Sequence, residues 1–296
     1  MQQEKLNVAL LSVFAAVFLT GFKLIVGLIT GSLGILSEAL HSGLDLVAAV
    51  ITYFSVRISD KPADKQHNYG HGKVENFSAL VETFLLLITC IWIVYEASSR
   101  LITGKTHIEV GIWSYIVVVS SIIIDISRSR ALNRVAKKYN SQALEADALH
   151  FSTDIWSSAV VLLGLICANF GYFFADSVAA LGVATIVLFV SYQLGKRSID
   201  VLLDKAPKGT VDLVKKTLSE FLEVKKFHSL KIRSSGADTF VKVNVHLDPD
   251  LSLREVHEIC DKIENEICSR IKRSEVNIHA EPEDPRHVQT EMEDGL

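Results

Sequence analysis

The sequence predicts an all-α bundle of six transmembrane helices followed by a small cytoplasmic α+β domain. Of the 296 residues, 49% are hydrophobic and 22% are charged, and the apolar residues are concentrated in long runs in the first two thirds of the chain. After about residue 205 the charge density rises to that of a soluble domain. We therefore expect a membrane domain over 1–207, a cytoplasmic domain over 208–285 and a disordered polar tail over 286–296.

Six apolar runs are each close to the ~20 residues that cross the ~30 Å hydrocarbon core of a bilayer. The first run could pass for a signal peptide, but no small-residue cleavage site follows it and five more runs do, so we predict a retained helix. The predicted spans are Leu6–Ile29, Leu33–Val56, Phe77–Ala97, Val110–Ile126, Ala146–Phe170 and Asp176–Leu194.

Basic residues alternate between the two sides of the predicted bundle. The segments 30–33 and 171–174 have none, and the third loop on that side has only Arg100 and Lys105. Basic residues mark the cytoplasmic side, so we expect both termini in the cytoplasm and the protein in the inner membrane. The residues on the basic side are Arg57, Lys61, Lys65, Lys73, Arg128, Arg130, Arg134, Lys137, Lys138, Lys196 and Arg197.

In the last third of the chain the spacing of apolar residues changes, and the new pattern predicts an α-β-β-α-β order of elements. Residues 211–222 and 253–271 have the pattern of amphipathic helices, whereas 229–233, 239–247 and 275–279 are predicted to form strands. We expect a small sheet covered by helices on one face.

Two histidine–aspartate pairs with the same spacing lie inside apolar runs: His41 with Asp45, and His150 with Asp154. Residues four apart lie on one face of a helix, so two such faces turned together would bring two imidazoles and two carboxylates to one point. This is a tetrahedral donor set for a borderline metal such as Zn²⁺. The alternative is that the pairs bind polar groups on neighbouring helices and only hold the bundle together; a second identical pair argues against it.

The other charged residues of the apolar runs are interpreted as side chains near span ends that extend toward water. Asp147, one turn before His150, is expected to flank the cytoplasmic entrance to the site. The residues interpreted in this way as extending toward water are Lys23, Glu38, Glu82, Glu96 and Asp125.

Two further groups contain metal-binding residue types. Asp64, His67 and His71 in the loop after the second span could bind one metal with water as a fourth ligand, or could simply be solvated. In the soluble part, five residues fall at or near element boundaries, where they could converge on a metal: His228, His246, His257, His279 and Glu281.

Some functional classes are disfavoured. The net charge of −4 gives no indication of nucleic-acid binding. The four cysteines form no CxxC pair and are interpreted as reduced residues without a role in the site. The segment that begins His257-Glu258 lacks the second histidine of the HExxH zinc-protease motif.

The chain resembles the cation diffusion facilitators, a family of metal/proton antiporters, over residues 5 to 285. The resemblance rests on five motifs: SEALHSGLD (37–45), HNYGHGKVE (67–75), EADALHFSTD (145–154), VNVHLDPDLSLREVHE (243–258) and VNIHAEPEDP (276–285). It implies six spans, a metallochaperone-like cytoplasmic domain and a homodimer.

By position, the resemblance assigns His41, Asp45, His150 and Asp154 to the transport site and the residues of the 64–71 loop to a second site. It assigns His228, His246, His257, His279 and Glu281 to a binuclear site at the dimer interface, with Glu281 where close relatives often have aspartate. It also pairs Lys73 with Asp204 near the membrane surface.

The resemblance implies Zn²⁺ as substrate and regulatory ligand, exchanged for protons across the bilayer. Two His/Asp pairs are typical of the zinc-preferring branch, but the histidine-rich loop of that branch is missing between spans four and five. A broader exporter of Cd²⁺, Co²⁺, Ni²⁺, Fe²⁺ or Mn²⁺ is the alternative. An intramembrane metalloenzyme would need an open coordination position and a general base, and four protein ligands argue against it.

Overall fold

A computed structural model describes residues 2–31, 33–103, 112–169 and 174–283. The chain divides into two compact units, Met1–Ile199 and Asp200–Leu296. The tail over 286–296 lies outside the described residues, as does Lys105.

The described residues of the first unit form six long α-helices. Three of them, α1 to α3, contain stretches long and apolar enough to cross a membrane by length and composition: Gln3–Thr30, Glu38–Ser59 and Lys73–Ser99. The bounds of the helices are α1 Gln2–Thr30, α2 Leu33–Ser59, α3 Lys73–Thr103, α4 Ile112–Tyr139, α5 Gln142–Asn169 and α6 Phe174–Leu202.

Most of these helices extend well beyond the apolar runs. The basic residues between 128 and 138 were expected in a loop, but they lie in the last turns of α4, and Lys196 and Arg197 lie in α6. Lysine and arginine are good helix formers, and continuing the helix keeps backbone groups hydrogen-bonded. Only Asn140, with a φ of 52°, and Ser141 separate α4 from α5.

Small side chains allow the six helices to pack closely. Ala9 and Ala16 of α1 and Ala49 of α2 are almost fully buried in one core with Phe151 of α5. On the other side of the bundle, α3 meets α6 at Gly195, where an added Cβ would lie 2.9 Å from Thr83 Cγ2. Large apolar side chains such as Phe14, Phe18 and Trp92 are exposed on the outside, as expected of a surface that faces lipid.

A buried ionic cluster joins the helix ends on one side of the bundle. The Lys5 ammonium of α1 lies 2.6 Å from Asp60 and 3.0 Å from Glu75. The Glu75 carboxylate also accepts hydrogen bonds from Ser59 at the end of α2 and from Ser141 before α5. Because Glu75 lies in the first turn of α3, the cluster holds both ends of the 60–72 loop.

The second unit has the predicted α-β-β-α-β order: α7 Thr210–Ser219, β1 Lys226–Ser235, β2 Asp238–Leu247, α8 Leu253–Arg270 and β3 Ser274–Pro282. The sheet has the order β1-β2-β3, with β1 antiparallel and β3 parallel to β2. A capping box between Ser252 and Glu255 begins α8 and satisfies its first backbone donors.

One face of this sheet forms the core of the domain. Val241, Val243 and Val245 of β2 are buried against α7 and α8, in one cluster with Ile263 and Leu218. Side chains alternate between the faces of a strand, so even-numbered β2 residues lie on the face away from the helices. The prediction of a sheet covered by helices on one face is confirmed.

Candidate metal centres

The two His/Asp pairs of the bundle meet at one place, between α2 and α5. The His150 Nε2 atom lies 3.0 Å from Asp45 Oδ1 and 3.7 Å from Asp154 Oδ2. The His41 Nε2 atom lies 3.7 Å from Asp154 Oδ1 and 3.9 Å from Asp45 Oδ1. Each imidazole therefore faces both carboxylates. The ligand atoms of His41, Asp45 and Asp154 all lie within 4.8 Å of one another.

Burial differs among the four side chains. The side chains of His150 and Asp45 are 2% and 11% exposed, whereas the His41 side chain is 33% exposed. Within the described residues, the buried Asp154 Oδ2 atom, which lies 3.7 Å from His150 Nε2, has no hydrogen-bond partner. Buried polar atoms are normally hydrogen-bonded, so this oxygen is available to a cation.

Polar residues continue from this site into the bundle. Asp147 is fully buried and accepts a hydrogen bond of 3.3 Å from Ser12. Ser12 in turn accepts one of 3.1 Å from Arg128, whose guanidinium lies 3.4 Å above the Phe151 ring. Asp125 receives a second hydrogen bond from Arg128. The four His and Asp side chains are thus accompanied by further charged residues: Asp125 and Arg128 on α4, and Asp147 on α5.

The interpretation that the other apolar-run charges extend toward water is wrong for Lys23, Glu82 and Asp125, which are 5%, 0% and 6% exposed. Lys23 donates to Glu38 and Ser42, and Glu82 accepts a hydrogen bond from Thr52. Distance from a span end does not reveal which face of a helix a residue occupies, and these three face the inside.

The loop group also comes together. The Asp64 carboxylate lies 3.4 Å from His67 Nδ1 and 3.4 Å from His71 Nε2. It accepts backbone hydrogen bonds from His67 and Gln66, and these lower the pKa of Asp64 below its usual value. The carboxylate is therefore ionised over a wide pH range, as a metal ligand must be.

The cytoplasmic group is brought together in part. The ligand atoms of His228, His246 and Glu281 lie within 4.8 Å of one another, on the face of the sheet away from α7 and α8. His279 Nε2 lies 3.6 Å from Glu281 Oε1. His257 is on α8, 73% exposed and 3.6 Å from Asp261, so within one chain it is not part of this cluster.

Asn244 is a residue of this cluster that the sequence interpretation missed. It lies two residues before His246 on β2, and its amide nitrogen is 2.7 Å from Glu281 Oε1. The two-residue period of a strand, applied to His246, could have identified it.

The pairing of Lys73 with Asp204 stays a prediction, because the two residues belong to different compact units. Within its own unit, Asp204 lies 3.7 Å from Arg233.

Comparisons with known proteins agree with this architecture. Residues 9–203 match the family model of the cation efflux transmembrane domain, and residues 206–283 match that of the cation efflux protein cytoplasmic domain. A cation-efflux pump FieF of Shewanella oneidensis is 30% identical over 92% of both chains. The uncharacterized transporter sll1263 of Synechocystis is 32% identical over 95% of this chain and 92% of the relative.

Solved structures match the cytoplasmic part. The metal-bound C-terminal domain of the CzcD transporter from Thermotoga maritima is 31% identical, with a TM-score of 0.24, and covers 25% of this chain and 86% of that one. A structure of the transporter CzrB is 26% identical, with a TM-score of 0.26, over 26% of this chain and 98% of that one.

The two family models together cover nearly the whole sequence, and the full-length relatives match it from the membrane helices into the cytoplasmic domain. The chain belongs to the cation efflux family of membrane transporters, the cation diffusion facilitators.

Proposed function

We propose that this protein exports Zn²⁺ in exchange for protons by alternating access. The observation that carries the proposal is the convergence of His41, Asp45, His150 and Asp154 between two helices of the bundle. Ionisable groups are costly inside a membrane, so four of them brought together, three of them largely buried, mark a substrate path.

The donor set favours zinc among divalent metals. Two imidazole nitrogens and two carboxylate oxygens suit a tetrahedral cation of intermediate softness. Affinity alone does not separate such a metal from its neighbours in the series. The second candidate is therefore an exporter of the same family that also accepts Cd²⁺, Co²⁺, Ni²⁺, Fe²⁺ or Mn²⁺.

Proton exchange follows from competition for the same atoms. Metal ligands must be deprotonated, so a proton on His41 or His150 and a metal at the site exclude each other. When the site faces the cytoplasm it would be deprotonated and would bind metal. When it faces outward, protons would displace the metal and be carried back to the cytoplasm. This direction rests on the distribution of basic residues, which favours cytoplasmic termini.

The cytoplasmic domain is proposed to act as a sensor and clamp in a homodimer. We take residues 1–207 as the membrane domain and 208–285 as the cytoplasmic domain. His228, His246, His279 and Glu281 would bind Zn²⁺ near the dimer interface, and His257 would reach the same metal cluster from the partner. Metal there would neutralise the acidic groups and draw the two domains together.

Purified protein in proteoliposomes tests the transport proposal. Wild-type protein is expected to move Zn²⁺ only while a pH gradient is present, and Asp154→Ala should abolish this flux while leaving the dimer folded. Flux that continues after the pH gradient collapses would indicate a channel instead. Normal zinc flux in Asp154→Ala would show that the site is elsewhere.

The clamp is tested separately, by removing His246 and His279 together. We expect fewer bound metal ions per chain and slower transport at limiting zinc. Unchanged stoichiometry and unchanged transport would contradict the clamp without affecting the transport site.

A further inference from the structure

Asn244 occupies the centre of the cytoplasmic histidine cluster. In the sheet it pairs with His228 of β1 and with His279 of β3, and the next pair on the same face of β2 and β3 is His246 with Glu281. These five residues therefore surround one point on the face of the sheet away from the helices. Asn244 is the one member with an uncharged amide.

The amide nitrogen of Asn244 holds one oxygen of Glu281. It lies 2.7 Å from Glu281 Oε1 and 3.4 Å from His228 Nε2. A carboxylate oxygen accepts but does not donate when ionised, so the amide must present its NH₂ group to Glu281. The hydrogen bond fixes the rotation of the carboxylate.

The two oxygens of Glu281 then have different surroundings. Oε1 accepts from the amide and lies 3.6 Å from His279 Nε2, whereas Oε2 lies 3.6 Å from His246 Nε2 and 3.9 Å from His228 Nε2. A cation bound by His246 and His228 would meet Oε2, while Oε1 stays with the amide. Glu281 would then bind it through one oxygen.

We propose that Asn244 is a positioning residue that sets the metal preference of the cytoplasmic site, by keeping Glu281 a one-oxygen ligand. A four-coordinate cation with short bonds, such as Zn²⁺, fits this arrangement. Larger cations take more ligands and accept both oxygens of a carboxylate, so a one-oxygen Glu281 adds less to the binding affinity of a larger ion such as Cd²⁺. The inference rests on the proposed cytoplasmic metal site and adds the basis of its selectivity.

The test uses the full-length protein in detergent with Asp154→Asn and Asp64→Asn, which weaken the other two candidate sites. Zn²⁺ and Cd²⁺ affinities are measured by competition with a chromophoric chelator. Asn244→Ala should reduce zinc affinity by about 10-fold or more, as for other residues that orient a ligand. Cadmium affinity should fall much less, so the ratio of zinc affinity to cadmium affinity should decrease.

A matched control variant and a compensating double variant distinguish the positioning of Glu281 by Asn244 from a general loss of folding stability. Asn277→Ala removes an exposed asparagine from the same face of β3 and should leave the preference unchanged. Glu281→Asp withdraws the carboxylate from the amide and should narrow the preference as Asn244→Ala does. Adding Asn244→Gln to Glu281→Asp lengthens the amide by one methylene and should restore it.

An equal loss of both metals in Asn244→Ala, or no change in either, would overturn the inference. Glu281→Asp tests the same contact if Asn244→Ala does not fold. If His246→Ala leaves zinc and cadmium binding of the parent protein unchanged, the cytoplasmic site itself is wrong and the inference falls with it. If the cytoplasmic site binds metal but its preference for zinc over cadmium does not depend on Asn244, the inference is wrong and the proposed site still stands.

Discussion

The Nε2 atom of His150 lies 3.0 Å from Oδ1 of Asp45, and this contact joins α5 to α2 inside the bundle. Asp45 also lies 3.9 Å from His41 on its own helix. One carboxylate is therefore shared by both imidazoles. Replacing it changes both halves of the site at once.

Asp45→Asn should remove one negative ligand while keeping the shape of the side chain. We expect zinc flux in proteoliposomes to fall more than about 100-fold, beyond the usual effect of a residue that only orients a ligand. Asp212→Asn, at an exposed aspartate of α7, should transport normally. A normal rate for Asp45→Asn would mean that its contact with His150 serves packing only.

His41 is the most exposed of the four side chains and the one whose identity favours zinc. His41→Asp replaces an imidazole nitrogen with a carboxylate oxygen, a harder ligand, at the same point. We expect the harder ions Fe²⁺ and Mn²⁺ to compete better with zinc in the variant, measured as inhibition of zinc flux by each metal. An unchanged order of metals would remove the main reason for naming zinc.

The sequence predicts which helix face carries each His/Asp pair because both pairs obey a local rule. Four-residue spacing fixes the face of a helix, and long apolar runs fix where the helices are. Neither rule says which way a face turns in the bundle. That is why Glu82 and Asp125 were expected near water, whereas tertiary packing buries them.

The cytoplasmic cluster shows a different limit. Its residues come from three strands whose register depends on a bulge between His228 and Lys231 and on the parallel crossover through α8. Local sequence does not fix such pairing, so the nearness of Asn244 to Glu281 could not be predicted. The position of His257 on α8, away from the cluster in one chain, is equally a property of the fold.

Glu82 and Thr52 form a buried hydrogen bond between α3 and α2. Glu82→Ala should leave the Thr52 hydroxyl without this partner and lower the free energy of unfolding by about 1–3 kcal/mol. Glu82→Gln keeps an acceptor for Thr52 and should lose less. Chemical unfolding of the two variants in detergent measures the difference, and equal stabilities would show that the hydrogen bond contributes little.

In the cytoplasmic domain, Arg270 of α8 binds Glu220 at the end of α7 through two nitrogens, at 3.2 Å and 2.5 Å. These hydrogen bonds lower the pKa of the Glu220 carboxyl. A group whose pKa is lower in the folded state stabilises the fold above its unfolded pKa, about 4.3 for glutamate. The contribution is lost as the pH falls through the lower, folded value.

Glu220→Gln should therefore open the α7–α8 contact more often than wild type at pH 7, and the difference should shrink below about pH 4. Hydrogen exchange of peptides from residues 210–283 of the full-length protein measures local opening. Glu223→Gln, at an exposed glutamate nearby, is the matched control and should resemble wild type at every pH. A difference between Glu220→Gln and wild type that is independent of pH would show that the charge of the Glu220 carboxylate does not contribute to its contact with Arg270.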